Sequence, residues 1–134
     1  MPNNVEVIRG TYDAFTAGDV EAVLAAMAAD IVWNEAENFP YADGNPYIGP
    51  EAIVEGVFSR LASEWIDFRV APKEILDAGD TVVALGRYTA RHGASGRPLD
   101  VPFVHVWRLE DGVIRRFQQY TDTAGTLAAM ETRD

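Results

Sequence analysis

The sequence predicts an α+β domain in which helices come first and a curved, mainly antiparallel sheet follows. Two patterns carry this expectation. As far as Ser63 the apolar residues recur at spacings of three and four, as on a helix with one buried face; from Trp65 onward they alternate with polar residues between turn-forming clusters, as on strands. At 134 residues and 48% apolar, the chain can fill one core and not two, so a single domain over 1–134 is expected.

In "NNVEVIRGTYDAFTAGD", Val5, Ile8, Tyr12 and Phe15 form the buried stripe of a first helix, Asn3 and Glu6 make a capping pair, and Gly18 offers a left-handed stop. Asp19 can cap a second helix over "VEAVLAAMAA", residues 20–29. "DIVWNEAE" has the β-branched and aromatic content of a short strand, and "NFPYADGNPYIG" reads as a long irregular loop forming a rim or lid. Pro50 suits a first helical position, and Ile53, Val54, Val57, Phe58 and Leu61 give a third helix ending near Ser63. Four strands follow, "WIDFRVAPKEIL", "TVVALGRYTARH", "RPLDVPFVHVWRL" and "VIRRFQQYTD", separated by "DAGD", "GASG" and "EDG". Pro72 and Pro102 each lack a ladder donor and are expected at a bulge or strand edge. A short helix, "TAGTLAAM", closes the chain. Helices laid across the concave side of a bent sheet make a cone-shaped α+β barrel, whose interior is a natural small-molecule pocket.

A net charge of -10 argues against nucleic acid as a partner. The missing signal-like segment points to no membrane and a cytoplasmic protein, and the absence of cysteine removes thiolate chemistry and Cys-ligated zinc. Two histidines in unlike contexts, with no calcium-loop spacing and no Gly-rich phosphate loop, predict no metal and no cofactor. Between Arg9 and Arg60 there is no basic residue, so Glu35 stands among Trp33, Phe39 and Tyr41 without a cation in its own segment. A carboxylate so placed either points into water, pairs with an arginine from elsewhere in the chain, or is desolvated by its rings and becomes a base near neutrality. Alternation puts Val101, Phe103, His105, Trp107 and Leu109 on one strand face, with Pro102, Val104 and Val106 as an apolar strip on the other. His92 is expected at the surface.

In this order, "AGDVEAVLAAMAADIVW", "YIGPEAIVEGV", "DAGDTVVALGRYTARH" and "VWRLEDGVIRRFQQYTDTAGTL" resemble the SnoaL-like polyketide cyclases, within the nuclear-transport-factor-like superfamily that includes ketosteroid isomerase and limonene epoxide hydrolase. The resemblance implies roles for several residues. Glu35 falls at the general-base position of ketosteroid isomerase, and His105 where that enzyme keeps a protonated acid in its oxyanion hole. The tyrosine donor of that hole maps to Thr11, with Tyr12 one residue along. Asp122 matches the proton-transfer acid of the cyclases and also caps the last helix. The epoxide hydrolase motif corresponds to Arg87-Tyr88-Thr89, which keeps the arginine and loses its acid; Arg87 would then orient a carboxylate. The expected function is isomerisation, cyclisation or dehydration of an apolar ketone-like or polycyclic substrate through an enol or enolate. Glu35 or Asp122 would move the proton and His105 would stabilise oxygen charge, in a pocket shaped by Tyr12, Trp33, Phe39, Tyr41, Phe58, Trp65, Phe103 and Trp107. A water-adding enzyme of the epoxide hydrolase kind and a non-catalytic ligand-binding module are the alternatives. The resemblance also implies a homodimer formed through the outer sheet face.

Overall fold

The computed structural model describes residues 3–132. Helix α1 (Asn4–Thr16) is capped as expected: Asn3 Oδ1 accepts from the Glu6 amide at 2.9 Å, and Gly18, at φ 73°, turns the chain away. The Asp19 side chain caps α2 (Val20–Leu24). That helix stops well short of Ala29, because strand β1 (Met27–Asn34) has already begun. β1 buries Met27, Ala28, Ile31 and Trp33 and lies parallel to the last strand, so a tertiary partner overrides the helical propensity of an alanine-rich stretch.

The segment after Glu35 is not a free rim. It holds a single 3₁₀ turn, Ala42–Gly44, and a two-residue strand β2 (Tyr47–Ile48) paired antiparallel to β1. Tyr41 is fully buried: its hydroxyl donates to Glu64 Oε1 at 2.9 Å and accepts from Trp65 Nε1 at 2.9 Å, while the Arg60 guanidinium lies 4.2 Å over its ring. The expected lid is thus corrected to a strap pinned into the core. A helical run follows as α3 (Pro50–Ile53), one π turn (Val54–Phe58) and α4 (Ser59–Glu64).

Strands β3 (Trp65–Ala78), β4 (Thr81–His92), β5 (Pro98–Glu110) and β6 (Val113–Thr121) form the expected meander, and helix α5 (Thr123–Met130) closes the chain. The sheet order is β2-β1-β6-β5-β4-β3, a curved and unclosed arrangement antiparallel everywhere except at β1 against β6. Pro72 lies on edge strand β3 where the register shifts, and Pro102 just before β6 begins to pair with β5 at Phe103. Val101, Phe103, His105, Trp107 and Leu109 are all buried on the concave face. That face, roofed by α1 and the 50–64 run, encloses the core and the site.

Candidate functional site

Under the helices the concave face leaves an inner cavity of about 60 Å³, walled largely by aromatic rings. α1 contributes Tyr12 and Phe15; β1 and the residues beyond it give Trp33, Glu35 and Phe39; the π turn gives Val57 and Phe58. Tyr88, His105, Trp107, Phe117 and Gln119 reach in from β4, β5 and β6. No Lys or Arg lines the cavity among the described residues. Five of its walls, Phe15, Val23, Phe58, Leu61 and Phe68, also face an outer hollow of about 390 Å³.

Glu35 is the one carboxylate of the cavity and is 3% exposed. Ile31, Trp33 and Glu35 share one parity, so the alternation of β1 carries the side chain inward just past the strand end. Asn45 holds it there by clasping the backbone, accepting from the Glu35 amide at 2.9 Å and donating to its carbonyl at 2.8 Å. Trp33 Nε1 donates to Oε2 at 3.2 Å. Every sealed side-chain oxygen among the described residues has a partner, so Oε1, which has none, is not sealed; Glu35 lines both this cavity and a polar hollow beside Asn45 and Gln118. Burial pushes the carboxyl up to about 8, against smaller lowering effects from the Trp33 bond and the Arg60 charge. Near neutral pH Glu35 can therefore both give and take a proton.

Across the cavity, His105 is gripped at both nitrogens. Tyr12 lies 2.6 Å from Nδ1 and Tyr88 2.5 Å from Nε2. Beyond them, Trp107 Nε1 donates to the Tyr12 hydroxyl at 3.0 Å and Gln119 Nε2 to the Tyr88 hydroxyl at 2.9 Å. Burial lowers the His105 pKa to about 3 and raises those of both tyrosines, so all three groups are neutral at physiological pH. His105 was expected to meet substrate oxygen; its ring borders the cavity, and both its nitrogens are already taken by the Tyr12 and Tyr88 hydroxyls.

The structure thus brings Glu35, His105, Tyr12, Trp33, Phe39, Phe58 and Trp107 to one cavity. It does not bring Asp122 or Arg87 there. Asp122 is exposed and spends its carboxylate capping α5, accepting from the Gly125 amide at 2.9 Å. Arg87 projects from the opposite face of β4 and pairs with Asp100 at 2.7 Å, because alternation that sends Tyr88 inward sends Arg87 out. Tyr41, Phe103 and Trp65 are also corrected: Tyr41 and Phe103 are packed outside the cavity lining, and Trp65 lines only the outer hollow. His92 is buried against Trp65, with ring centroids 4.7 Å apart, rather than at the surface. Sequence reading missed Tyr88, which the alternation Val82, Ala84, Gly86, Tyr88 in β4 points inward. It also missed Gln119, for which both parities of "RRFQQYTD" carry polar residues and neither marks the inner face. Among the described residues no three His, Cys, Asp or Glu side chains converge as a metal site would require, and no helix is long and apolar enough to cross a membrane.

A model of the SnoaL-like domain matches residues 8–117. Among solved structures, an NTF2-like protein from Burkholderia thailandensis is 34% identical and superposes with a TM-score of 0.94, covering 98% of this chain and 99% of that one. An NTF2-like protein from Burkholderia pseudomallei is 31% identical, with a TM-score of 0.89 over 98% of this chain and 100% of that one. TerC, co-crystallised with polyporic acid, is 28% identical, with a TM-score of 0.86 over 96% and 98% of the two chains. No functionally curated protein matches the chain.

Proposed function

The chain belongs to the SnoaL-like family, and from that premise we propose that it is a cofactor-independent acid/base enzyme acting on an enolisable, mostly apolar small molecule. One observation carries this reading: Glu35 is a buried carboxylate lining an aromatic cavity, with one of its two oxygens free of any hydrogen bond and no cation lining the walls. A carboxyl kept near its point of half-ionisation can remove a proton from carbon and return it elsewhere, the step common to isomerisation, cyclisation and dehydration through an enol or enolate. The tyrosine hydroxyls flanking His105 hold the substrate oxygen, and the rings exclude water. The co-crystallisation of TerC with polyporic acid supports an organic ligand in such a fold. Epoxide hydrolysis loses its support, since Arg87 is outside the cavity and engaged by Asp100.

The test is a screen of enolisable ketones with the wild type and Glu35→Gln. General acid/base catalysis typically contributes 10²–10⁴-fold, so turnover should fall at least about a hundredfold in the variant. The kcat/KM profile should rise through about pH 8 as Glu35 ionises in the free enzyme. Turnover that survives the substitution within about tenfold sinks the assignment. A second copy of the chain covers the outer sheet face, where register sets Leu85 and Tyr120 on either side of Val104.

A further inference from the structure

Three hydrogens compete for two gaps in the chain Tyr12, His105, Tyr88. Neutral histidine carries one N–H and one lone pair, and each of its contacts with a tyrosine holds one hydrogen. The two hydroxyls and the ring together bring three. The outer partners cannot absorb the excess. Trp107 is a pure donor to Tyr12; the Gln119 oxygen takes the Ala36 amide at 3.0 Å, which turns its NH₂ as a donor to Tyr88. Neither hydroxyl has another acceptor among the described residues, and Tyr12, His105 and Tyr88 all border the cavity.

We infer that His105 is a tautomeric selector, whose ring proton decides whether Tyr12 or Tyr88 offers its hydrogen to a ligand oxygen in the cavity. With the proton on Nε2, Tyr88 accepts from both His105 and Gln119, so its own O–H turns to the cavity while Tyr12 donates to Nδ1. With the proton on Nδ1 the roles exchange: Tyr12 accepts from Trp107 and His105 and presents its O–H, while Tyr88 donates to Nε2. Either way one donor is free. It reaches from α1 in one case and from β4 in the other, so one cavity can hold a carbonyl, enolate or phenolate oxygen at two positions. This rests on the reading of the cavity as a site for an oxygen-bearing ligand. Tyr12 and Tyr88 become the groups that touch that oxygen, and His105 a positioning residue between them.

The test uses the full chain labelled with ¹⁵N-histidine, whose long-range ¹H–¹⁵N correlations report which ring nitrogen is protonated. Tyr12→Phe strips Nδ1 of its partner, and a buried lone pair without a donor is better tolerated than a buried N–H without an acceptor, so the proton should sit on Nε2. Tyr88→Phe should put it on Nδ1. The same tautomer in both variants would overturn the inference. Binding of 4-nitrophenol, read by quenching of the cavity tryptophans, should stay within about threefold of wild type in each single variant and weaken at least about tenfold in the double variant. If one single variant carries the whole loss, or the wild type does not bind the probe, the selector is refuted. His92, buried apart from the relay, reports whether each variant is folded. Should a variant unfold, the wild type decides: saturating 4-nitrophenol must move the His105 nitrogen signals, and unmoved signals refute the idea. Because Glu35→Gln is scored by turnover and this test by tautomer and binding, either assignment can fail while the other stands.

Discussion

Burial holds Glu35 neutral up to about pH 8, whereas the same carboxyl in the unfolded chain ionises near 4.5. The unfolded state therefore gives up its proton first, and stability falls as pH rises from about 4.5 to about 8, then levels. At ~1.4 kcal/mol per unit the loss between about pH 5 and pH 8 is about 3 kcal/mol, and Glu35→Gln should abolish it. Chemical denaturation of both proteins at the two pH values measures the difference; equal pH dependence would show that Glu35 is not desolvated. His105 works in the opposite sense. Held neutral down to about 3 against an ordinary 6.5, it costs stability as pH falls through that window. Asp122 supplies the contrast of a carboxylate whose role is structural. Asp122→Ala should cost about 1 kcal/mol in a urea melt, through the lost cap of α5, and leave turnover unchanged.

The strands show where tight packing fixes an element. At Gly86 in β4, an added Cβ would collide with the Ala71 carbonyl of β3 and come within 2.7 Å of Phe103 Cζ, so the two strands approach closely only because this side chain is absent. Gly86→Ala should destabilise the fold by about 2–3 kcal/mol, seen as a lower denaturation midpoint at unchanged slope. Elements of this kind were largely legible in the sequence. The caps at Asn3, Asp19 and Asp122, the four long strands and the inward parity of His105 follow from local rules, and all are present. What escaped depends on distant partners. Met27 to Ala29 look helical until β6 supplies a parallel neighbour, and "NFPYADGNPYIG" looks solvated until Glu64 and Trp65 bind the Tyr41 hydroxyl. In the site, the inward turn of Glu35 was legible from its shared parity with Trp33 at the end of β1. The Tyr12, His105, Tyr88 relay was not, since it joins α1, β5 and β4 across a separation of up to 93 residues.

At the scale of the whole molecule, the net charge of -10 and the apolar rows of the outer sheet face pull in different directions. Charge keeps copies apart, whereas Leu85, Val104 and the 55% exposed Tyr120 reward covering. Sedimentation should find a dimer that tightens with salt and falls to monomer in Val104→Lys; a wild-type monomer at all salt concentrations would remove the pairing. The inner cavity, at about 60 Å³, holds a handful of water-sized groups, and Phe15, Val23, Phe58, Leu61 and Phe68 line both it and the hollow outside. We propose that a larger ligand enters from that hollow as these side chains move aside. Its arrival is then clocked by the protein and not by diffusion: in stopped-flow mixing the observed rate should climb with ligand concentration and reach a plateau, and Phe58→Ala should lift that ceiling.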